Sequence, residues 1–190
     1  MKTLDALKKR LQTGKVYRRA DLRKWTPSVD THLRNMVEVG ILEKLSRGLY
    51  YAPKHGVFGK TPPEERELIK AFLKDDRFVI ISQGHYNMLG VGTTQLYNER
   101  RVYNHKRNGI IKIGNSSFHF VRKRYVPLKV TQEFLLVDLF NNLKDLEEDQ
   151  IVLLNNVRKK ANGMDRSRLK KLVLEFGTGA TKKTLSAVFE

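Results

Sequence analysis

The chain has 190 residues and no cysteine, and its 37 lysines and arginines against 20 acidic residues give a formal net charge of +17. The lack of cysteine excludes disulfides and thiolate zinc sites, and the five histidines lack ligand-like spacing, so neither a metal nor a cofactor is expected. No apolar run approaches the roughly 18 residues of a membrane span, and the N-terminus does not resemble a signal peptide. We therefore expect a cytoplasmic protein with no membrane partner.

The positive charge is concentrated in the first two thirds of the chain. Residues 1–60 carry 14 basic and 5 acidic side chains, residues 61–130 carry 13 and 6, and residues 131–190 carry 10 and 9. A basic excess of this size favours a polyanionic partner. The alternative interpretation is a generally basic surface without a specific ligand.

Apolar spacing predicts three short helices within the first 40 residues. The first ends at Thr13–Gly14, and the second precedes Thr26. Thr26 is the predicted N-cap of the third helix, with Pro27 as its first residue, and Gly40 ends that helix. The apolar faces consist of Leu4, Leu7 and Leu11 in the first helix, Leu22 and Trp25 in the second, and Val29, Leu33, Met36 and Val37 in the third.

A β-hairpin is predicted directly after the third helix. Residues 41–45 and 49–52 are rich in aliphatic and aromatic side chains, and Ser46, Arg47 and Gly48 form a tight turn between them. Three helices followed by a two-stranded ribbon is the element order of a winged helix-turn-helix. Residues 1–57 are therefore predicted to be a DNA-binding domain whose third helix enters the major groove.

The polar side of the third helix supplies the candidate base-reading residues. In this interpretation Asn35 pairs with adenine, and the residues of this side are Ser28, Thr31, His32, Arg34 and Asn35. Cations on the wing and near the first turn are predicted to hold phosphates, and they are Lys15, Arg18, Arg19, Lys44 and Arg47. The alternative is an ordinary solvated polar face on a small helical domain.

Residues 58–190 are predicted to form a small mixed α/β domain with a helical C-terminal region, which makes the whole chain α+β. Residues 54–65 read as a Gly/Pro-rich linker. The predicted helices cover residues 66–73, 84–89, the region around 134–139, 146–160, a segment capped by Asp165, and 181–189. The predicted strands cover residues 78–81, 110–113 and 118–121.

A second basic patch lies within this region, interleaved with aromatic residues such as Tyr97 and Tyr103. Strand alternation would place Arg122 and Arg124 on one face. The patch is a candidate surface for DNA, RNA or an acidic protein, and the alternative is a solvated strand surface. Its members are Arg100, Arg101, Lys106, Arg107, Lys112, Arg122, Lys123 and Arg124.

Catalysis is not supported by any motif in the chain. No HExxH, GxSxG or paired-carboxylate arrangement occurs. The FGKT at residues 58–61 lacks the first glycine of a phosphate loop, and Pro62–Pro63 stand where the helix of such a loop should begin. We therefore expect a protein that is not an enzyme.

Two segments resemble the AbiE-type antitoxins of type IV toxin–antitoxin and abortive-infection systems. The first is SVDTHLRNMVEVGILEKLSRGLYYAP, with its RGLY turn, and the second runs from FVIISQGHYNMLG through the KIGN hairpin to the basic strand FHFVRKRYVP. Val91 and Gly92, and the long basic stretch before the hairpin, depart from the family pattern. The resemblance implies a winged-helix autorepressor of its own promoter, at inverted repeats. It also implies an antitoxin to a nucleotidyltransferase-like toxin, with which it forms no stable complex.

Two other functions stay open at this point. One is an RNA-binding or RNA-processing protein that uses the second basic patch. The other is a protein-interaction inhibitor whose basic face captures an acidic toxin.

Overall fold

The computed structural model describes residues 2–91, 100–143 and 150–189. Gly92, Tyr97 and the start of the helix predicted at 146–160 lie outside these residues. The described chain is a mixed α+β fold of helices and several small sheets. None of its helices within the described ranges combines the length and apolar character that crossing a bilayer requires.

The chain divides into two compact units. The first comprises Met1–Asp76 with Lys112–Ser116, and the second comprises Arg77–Ile111 with Ser117–Glu190. The first unit contains α1 (Lys2–Arg10), β1 (Val16–Arg18), α2 (Arg19–Leu22), α3 (Val29–Glu38), β2 (Glu43–Ser46), β3 (Leu49–Tyr51), β4 (Lys54–Gly56), β5 (Gly59–Thr61) and α4 (Glu65–Leu73).

A three-stranded antiparallel sheet in the order β1-β3-β2 holds the first unit together. Strand β1 pairs with β3 from Val16 opposite Tyr51 to Arg18 opposite Leu49. The β2–β3 hairpin is the predicted one, with Arg47 and Gly48 in its turn, and Gly48 has a φ of +74° that a glycine adopts without strain.

The predicted apolar faces form the core of this unit. Leu7, Leu22, Val29, Leu33 and Met36 are buried together, and Trp25 and Val37 pack against them in partly buried positions. Burial of these side chains supplies the main stabilisation of three helices that are too short to be stable alone. The prediction of these stripes is confirmed.

Two details near the third helix differ from the prediction. The second helix is shorter than predicted, covering only Arg19–Leu22, and a strand that was not predicted precedes it, because residues 16–18 pair with β3. Helix α3 begins at Val29 with Ser28 as its N-cap, so Thr26 does not cap a helix starting at Pro27. Thr26 is instead buried, and its hydroxyl is hydrogen-bonded to His32.

The segment predicted as a linker contains the β4–β5 hairpin. The phenolic hydroxyl of buried Tyr51 donates to the Thr61 carbonyl at 2.9 Å, and the Thr61 hydroxyl donates to the Lys54 carbonyl at 3.0 Å. Helix α4 follows and buries Leu68 and Ile69. The first unit therefore ends after Asp76 and not near residue 58, because the hairpin and α4 are bonded and packed within it.

The second unit contains β6 (Phe78–Ile81), α5 (Gln83–Asn87), β7 (Arg100–Asn104), β8 (Gly109–Ile113), β9 (Ser116–Arg122), α6 (Gln132–Asn141), α7 (Gln150–Asn162), α8 (Arg166–Phe176) and α9 (Gly179–Phe189). The turn that joins β8 to β9 groups with the first unit, where the Gly114 N–H donates to the Leu45 carbonyl at 2.8 Å.

The sheet of the second unit has the order β6-β7-β9-β8, with β6 antiparallel and β9 parallel to β7. Helix α6 is buried almost throughout, and the Phe134 and Phe176 rings contact each other in the same core, tilted by 51° with 4.7 Å between ring centroids. Asp165 accepts from the Arg168 N–H at 3.0 Å, so the predicted cap of α8 is confirmed.

Candidate nucleic-acid interface

The polar side of α3 faces solvent. Because Val29, Leu33 and Met36 fix the opposite side in the core, the helix cannot rotate to bury its polar residues. His32 is half-buried, whereas the other predicted base-reading residues are exposed, namely Ser28, Thr31, Arg34 and Asn35. The geometry therefore leaves a row of donors and acceptors on a rigid helix.

His32 has a structural partner. Its Nδ1 lies 3.0 Å from the hydroxyl of buried Thr26, which joins the start of α3 to the preceding turn. The ring is therefore held at the edge of the helix, and it is less available to a ligand than Thr31 or Asn35.

Arg19 connects α2, the β2–β3 turn and α3. Its backbone N–H donates to the Gly48 carbonyl at 2.9 Å, and its guanidinium Nε donates to the Asp30 carboxylate at 2.7 Å. The hydrogen bond from Arg19 lowers the pKa of Asp30 below its ordinary value, and nearby Arg23 and Arg34 act in the same direction. Arg19 thus joins the β2–β3 turn to the first turn of α3, and its positive charge offsets the negative charge of Asp30.

Two other predicted phosphate-binding cations are also engaged in ion pairs. Arg18 donates from two nitrogens to the Asp21 carboxylate, at 2.7 and 2.9 Å. Lys15 lies 3.4 Å from the Glu67 carboxylate of α4. Because carboxylates offset their charges, these side chains are weaker candidates for phosphate contacts than the sequence predicts.

Lys44 and Arg47 remain the open cations of the hairpin. Both side chains are exposed, Lys44 on β2 and Arg47 at the tip of the turn. The turn is anchored at its base by the Arg19–Gly48 hydrogen bond. The exposed positive charge of Arg47 is therefore held in place by the hydrogen-bonded turn.

The second basic patch is divided among different environments. Arg100 lies over the Phe118 ring at 5.9 Å and Lys123 over the Phe176 ring at 5.1 Å, so both stems cover core aromatics. Lys112, on β8, groups with the first unit, whereas the other members group with the second. Strand β9 ends at Arg122, so the predicted alternation of Arg122 and Arg124 along one strand is wrong. The exposed members in the second unit are Lys106, Arg107, Arg122 and Arg124.

Buried Asn104 orders the loop that carries Lys106 and Arg107. Its Oδ1 accepts from the Lys106 and Arg107 backbone N–H groups at 2.8 and 2.6 Å, and its Nδ2 donates to the Arg107 carbonyl at 3.1 Å. The Arg122 N–H donates to Asn108 Oδ1 at 3.3 Å beside it. These bonds hold the loop next to the end of β9 and bring three exposed cations to one end of the sheet.

A buried polar cluster around Asp138 of α6 was not predicted from the sequence. The carboxylate is fully buried and accepts hydrogen bonds from the hydroxyls of Tyr86 and Tyr103 and from Asn142 Nδ2. Burial raises the pKa of Asp138, and the hydrogen bonds and the nearby Arg101 charge oppose that rise. The available signal was one acidic residue within the apolar run FLLVDLF.

A second missed feature is the tip of the β4–β5 hairpin. Val57 and Phe58 are 96% and 104% exposed, which makes them the most exposed of the large apolar side chains described. The sequence signal is an apolar pair between two glycines, Gly56 and Gly59, within a segment that otherwise reads as a linker.

Comparison with known proteins defines the family and the fold. The family described as a family of unknown function, DUF6088, matches residues 5–168, so the chain belongs to that family. No curated protein matches the chain. Its structure is similar to the crystal structure of the RV2827C protein from Mycobacterium tuberculosis, with a TM-score of 0.58 and 14% sequence identity, over 97% of this chain and 74% of that one. At this identity the similarity concerns the fold alone.

Proposed function

We propose that this member of DUF6088 is a DNA-binding transcriptional repressor in which α1 to β3 act as a winged helix-turn-helix. The element order of a helix, a strand, two helices and a hairpin, α1-β1-α2-α3-β2-β3, supports this interpretation. In this proposal α3 enters the major groove, and the β2–β3 hairpin lies along the sugar–phosphate backbone. The net charge of +17 supplies the attraction for duplex DNA.

The observation that carries the proposal is the position of Arg19 between the turn and α3. A reader of duplex DNA needs its base-reading helix and its phosphate contact in a fixed relation, because phosphate contacts set the register in which bases are read. The Arg19 bonds to Gly48 and Asp30 supply such a relation. They also neutralise Asp30, which would otherwise repel phosphates.

Specific residues receive roles in this proposal. Asn35 hydrogen-bonds an adenine edge in the major groove, and Thr31 contacts a neighbouring base. Arg34 lies on the flank of α3, where its guanidinium can hydrogen-bond either a guanine edge or a phosphate. Lys44 and Arg47 hold phosphates without reading sequence.

The regulatory role extends the resemblance to AbiE-type antitoxins. The repressor would act on its own promoter, at inverted repeats, and would counter a nucleotidyltransferase-like toxin without a stable complex. Coexpression with a nucleotidyltransferase-like reading frame beside its gene tests this role. Growth rescue by the full chain supports it, and toxicity that the chain does not relieve argues against it.

A pair of alanine variants tests the DNA-binding proposal. Fluorescence anisotropy measures the affinity of the full chain for a duplex from its own promoter and for a scrambled duplex, over a range of salt concentrations. Arg47→Ala is expected to weaken both complexes equally, by about eightfold at 0.1 M salt, and to reduce the salt slope by about 0.9. Asn35→Ala is expected to weaken the promoter complex by about 1–3 kcal/mol and leave the scrambled complex unchanged.

The matched control is Arg166→Ala, which removes an exposed arginine from α8 in the second unit. It is expected to leave both affinities and the salt slope as in the parent chain. Equal losses at Arg47, Asn35 and Arg166 would refute the assignment of α3 and the hairpin.

RNA binding by the second unit is a second candidate function. Residues 100–111 and 117–131 of this unit contain eight basic residues and no acidic one, and Asn104 holds part of this segment in place. Competition of promoter duplex by single-stranded RNA separates the two candidates. The second function is favoured if RNA displaces the duplex, if Arg107→Ala abolishes this displacement, and if Arg47→Ala does not.

A further inference from the structure

The β4–β5 hairpin ends in an apolar pair that nothing in the fold explains. Val57 and Phe58 occupy the two central positions of its turn and are almost completely exposed. Turns of this kind favour glycine, asparagine and aspartate, because these residues suit the backbone and water. Two exposed large apolar side chains lower the solubility of the protein, so their presence in this turn indicates that they bind a ligand.

The hairpin has the shape of a narrow wedge. Gly56 and Gly59 pair directly below the tip, so no side chain stands beside Val57 and Phe58. Gly59 has a φ of +105°, a conformation that requires glycine. From its base at Lys54 and Thr61 the hairpin extends for about 10 Å at the usual rise of a strand.

The base of the wedge is firmly attached. Tyr51, which is 1% exposed, donates its hydroxyl to the Thr61 carbonyl, and the Thr61 hydroxyl donates to the Lys54 carbonyl. The hairpin also lies near the end of α3, because a methyl group on Gly40 would be 3.9 Å from Lys60 Nζ. The hairpin is therefore part of the same unit, and its Lys60 side chain reaches the C-terminal end of the helix assigned to the major groove.

The charges around the tip favour a nucleic-acid ligand. Lys54, His55 and Lys60 are exposed on the two strands below it, and the hairpin contains no acidic residue. An apolar tip between cations matches a groove in which apolar base faces lie between two rows of phosphates. Proteins that bind the minor groove insert apolar side chains between base pairs in this way and partly unstack them.

The dimensions fit entry of the tip alone. The minor groove is about 6 Å wide and 7.5 Å deep. The axes of two paired strands lie about 4.8 Å apart, and the backbone atoms outside those axes make the ribbon wider than the groove. Phe58 and Val57 can enter, and the strands remain outside, with Lys54 and Lys60 at the level of the phosphates.

Other ligands fit this tip less well. A stable protein interface buries at least about 1,000 Å², and one aromatic side chain supplies only about 150–250 Å². Binding at a lipid surface uses an extended apolar face, which two adjacent side chains do not provide.

We infer that Val57 and Phe58 form a wedge that inserts between base pairs in the minor groove of the duplex that α3 binds. This inference rests on the proposed DNA-binding function. It adds a second, sequence-tolerant contact whose energy comes from stacking and not from charge.

Aminopurine fluorescence tests the wedge, because this adenine analogue brightens when it is unstacked. Promoter duplexes carrying aminopurine at successive positions are titrated with the full chain. We expect brightening at one base step beside the major-groove site. Phe58→Ala is expected to abolish it and to weaken binding by about 10-fold, without changing the salt slope.

Three further variants make the result specific. Phe58→Leu keeps an apolar side chain and is expected to retain part of the brightening. Lys60→Ala is expected to reduce the salt slope and keep the brightening. The matched control Leu128→Ala removes a side chain that is 90% exposed in the second unit and is expected to change neither quantity.

The outcomes separate the wedge from the proposed function. Salt-dependent binding of the promoter duplex without brightening at any position overturns the wedge and leaves the DNA-binding proposal intact. Unchanged brightening in Phe58→Ala overturns it as well. Loss of vesicle binding or of self-association in Phe58→Ala, with DNA binding unchanged, assigns the tip to another partner. Absence of any duplex binding by the parent chain refutes both proposals.

Discussion

Replacement of Asp138 by alanine is expected to destabilise the second unit strongly. The hydroxyls of Tyr86 and Tyr103 donate to this carboxylate in a site without solvent access, and both lose their acceptor in the variant. An unsatisfied buried donor costs about 1–3 kcal/mol. Two such donors give an expected loss of about 2–6 kcal/mol, whereas Asn142 keeps its 2.7 Å bond to the Asp138 backbone carbonyl.

The asparagine variant isolates the role of the charge. Asp138→Asn keeps the size of the side chain and one acceptor oxygen, so its expected loss is smaller, about 1–2 kcal/mol at low pH. Burial raises the pKa of Asp138 in the folded state above its value in the unfolded chain. The native protein therefore holds the proton more tightly, and this stabilisation, complete below the unfolded pKa, is lost as pH rises through the folded pKa.

The measurement is the free energy of unfolding from urea titrations at several pH values, followed by tyrosine near-ultraviolet circular dichroism. The stability of the parent chain relative to Asp138→Asn should fall as pH rises, by at most about 1.4 kcal/mol per pH unit. The control Glu175→Gln changes an exposed carboxylate in the same unit and should follow the parent curve. A parent chain that gains stability over Asp138→Asn with rising pH, or an unaffected alanine variant, would refute the reasoning.

Three other variants test separate parts of the structure. Asp30→Asn removes the carboxylate from the start of α3 and releases Arg19 for a phosphate. The affinity for scrambled duplex, measured by fluorescence anisotropy, should therefore rise about eightfold at 0.1 M salt, and a fall in this affinity would contradict the expectation. Leu33→Ala should cost about 2–5 kcal/mol of unfolding free energy, because it leaves a cavity under α3; a urea titration that gives under 1 kcal/mol would disprove this packing. Asp165→Ala should cost about 1 kcal/mol through loss of the α8 cap, and faster hydrogen exchange in the first turn of α8 should accompany it; unchanged exchange would argue against the cap.

Elements with a one-sided apolar pattern could be predicted from the sequence. The apolar stripe of Val29, Leu33 and Met36 predicted both that α3 forms and which of its sides faces solvent, because a short helix gains stability only by burying such a stripe. The buried strand Phe78–Ile81 was likewise predicted with its observed bounds, from a continuous apolar run.

Elements that depend on distant partners could not be predicted. Strand β1 has three residues, too few for a visible alternation, and it forms because Val16–Arg18 pair with Leu49–Tyr51 far along the chain. The β4–β5 hairpin was missed because its glycines also suit a linker, and the Tyr51 hydroxyl that anchors it comes from another strand.

The exposed positions of α3 were predicted from the sequence, and the ion pairs beside them were not. Helical periodicity identifies which residues of α3 face outward. It does not show that Arg19 is bonded to Asp30, because that pairing depends on how α2 packs beside α3. Nor does it show the local pair of Arg18 with Asp21, which lies outside α3. The neutralised pair and the open cations of the hairpin therefore become distinguishable only in the folded chain.

Site-specific photocrosslinking tests most directly whether α3 reads duplex DNA. A benzoylphenylalanine is placed at Thr31 on the exposed side of α3 or, as a control, at Lys182 on α9, and each chain is irradiated with promoter or scrambled duplex. Crosslinks are expected from position 31 to bases at one place in the promoter duplex, and none from position 182. Crosslinks only from position 182, or equal crosslinking of promoter and scrambled duplex from position 31, would contradict it.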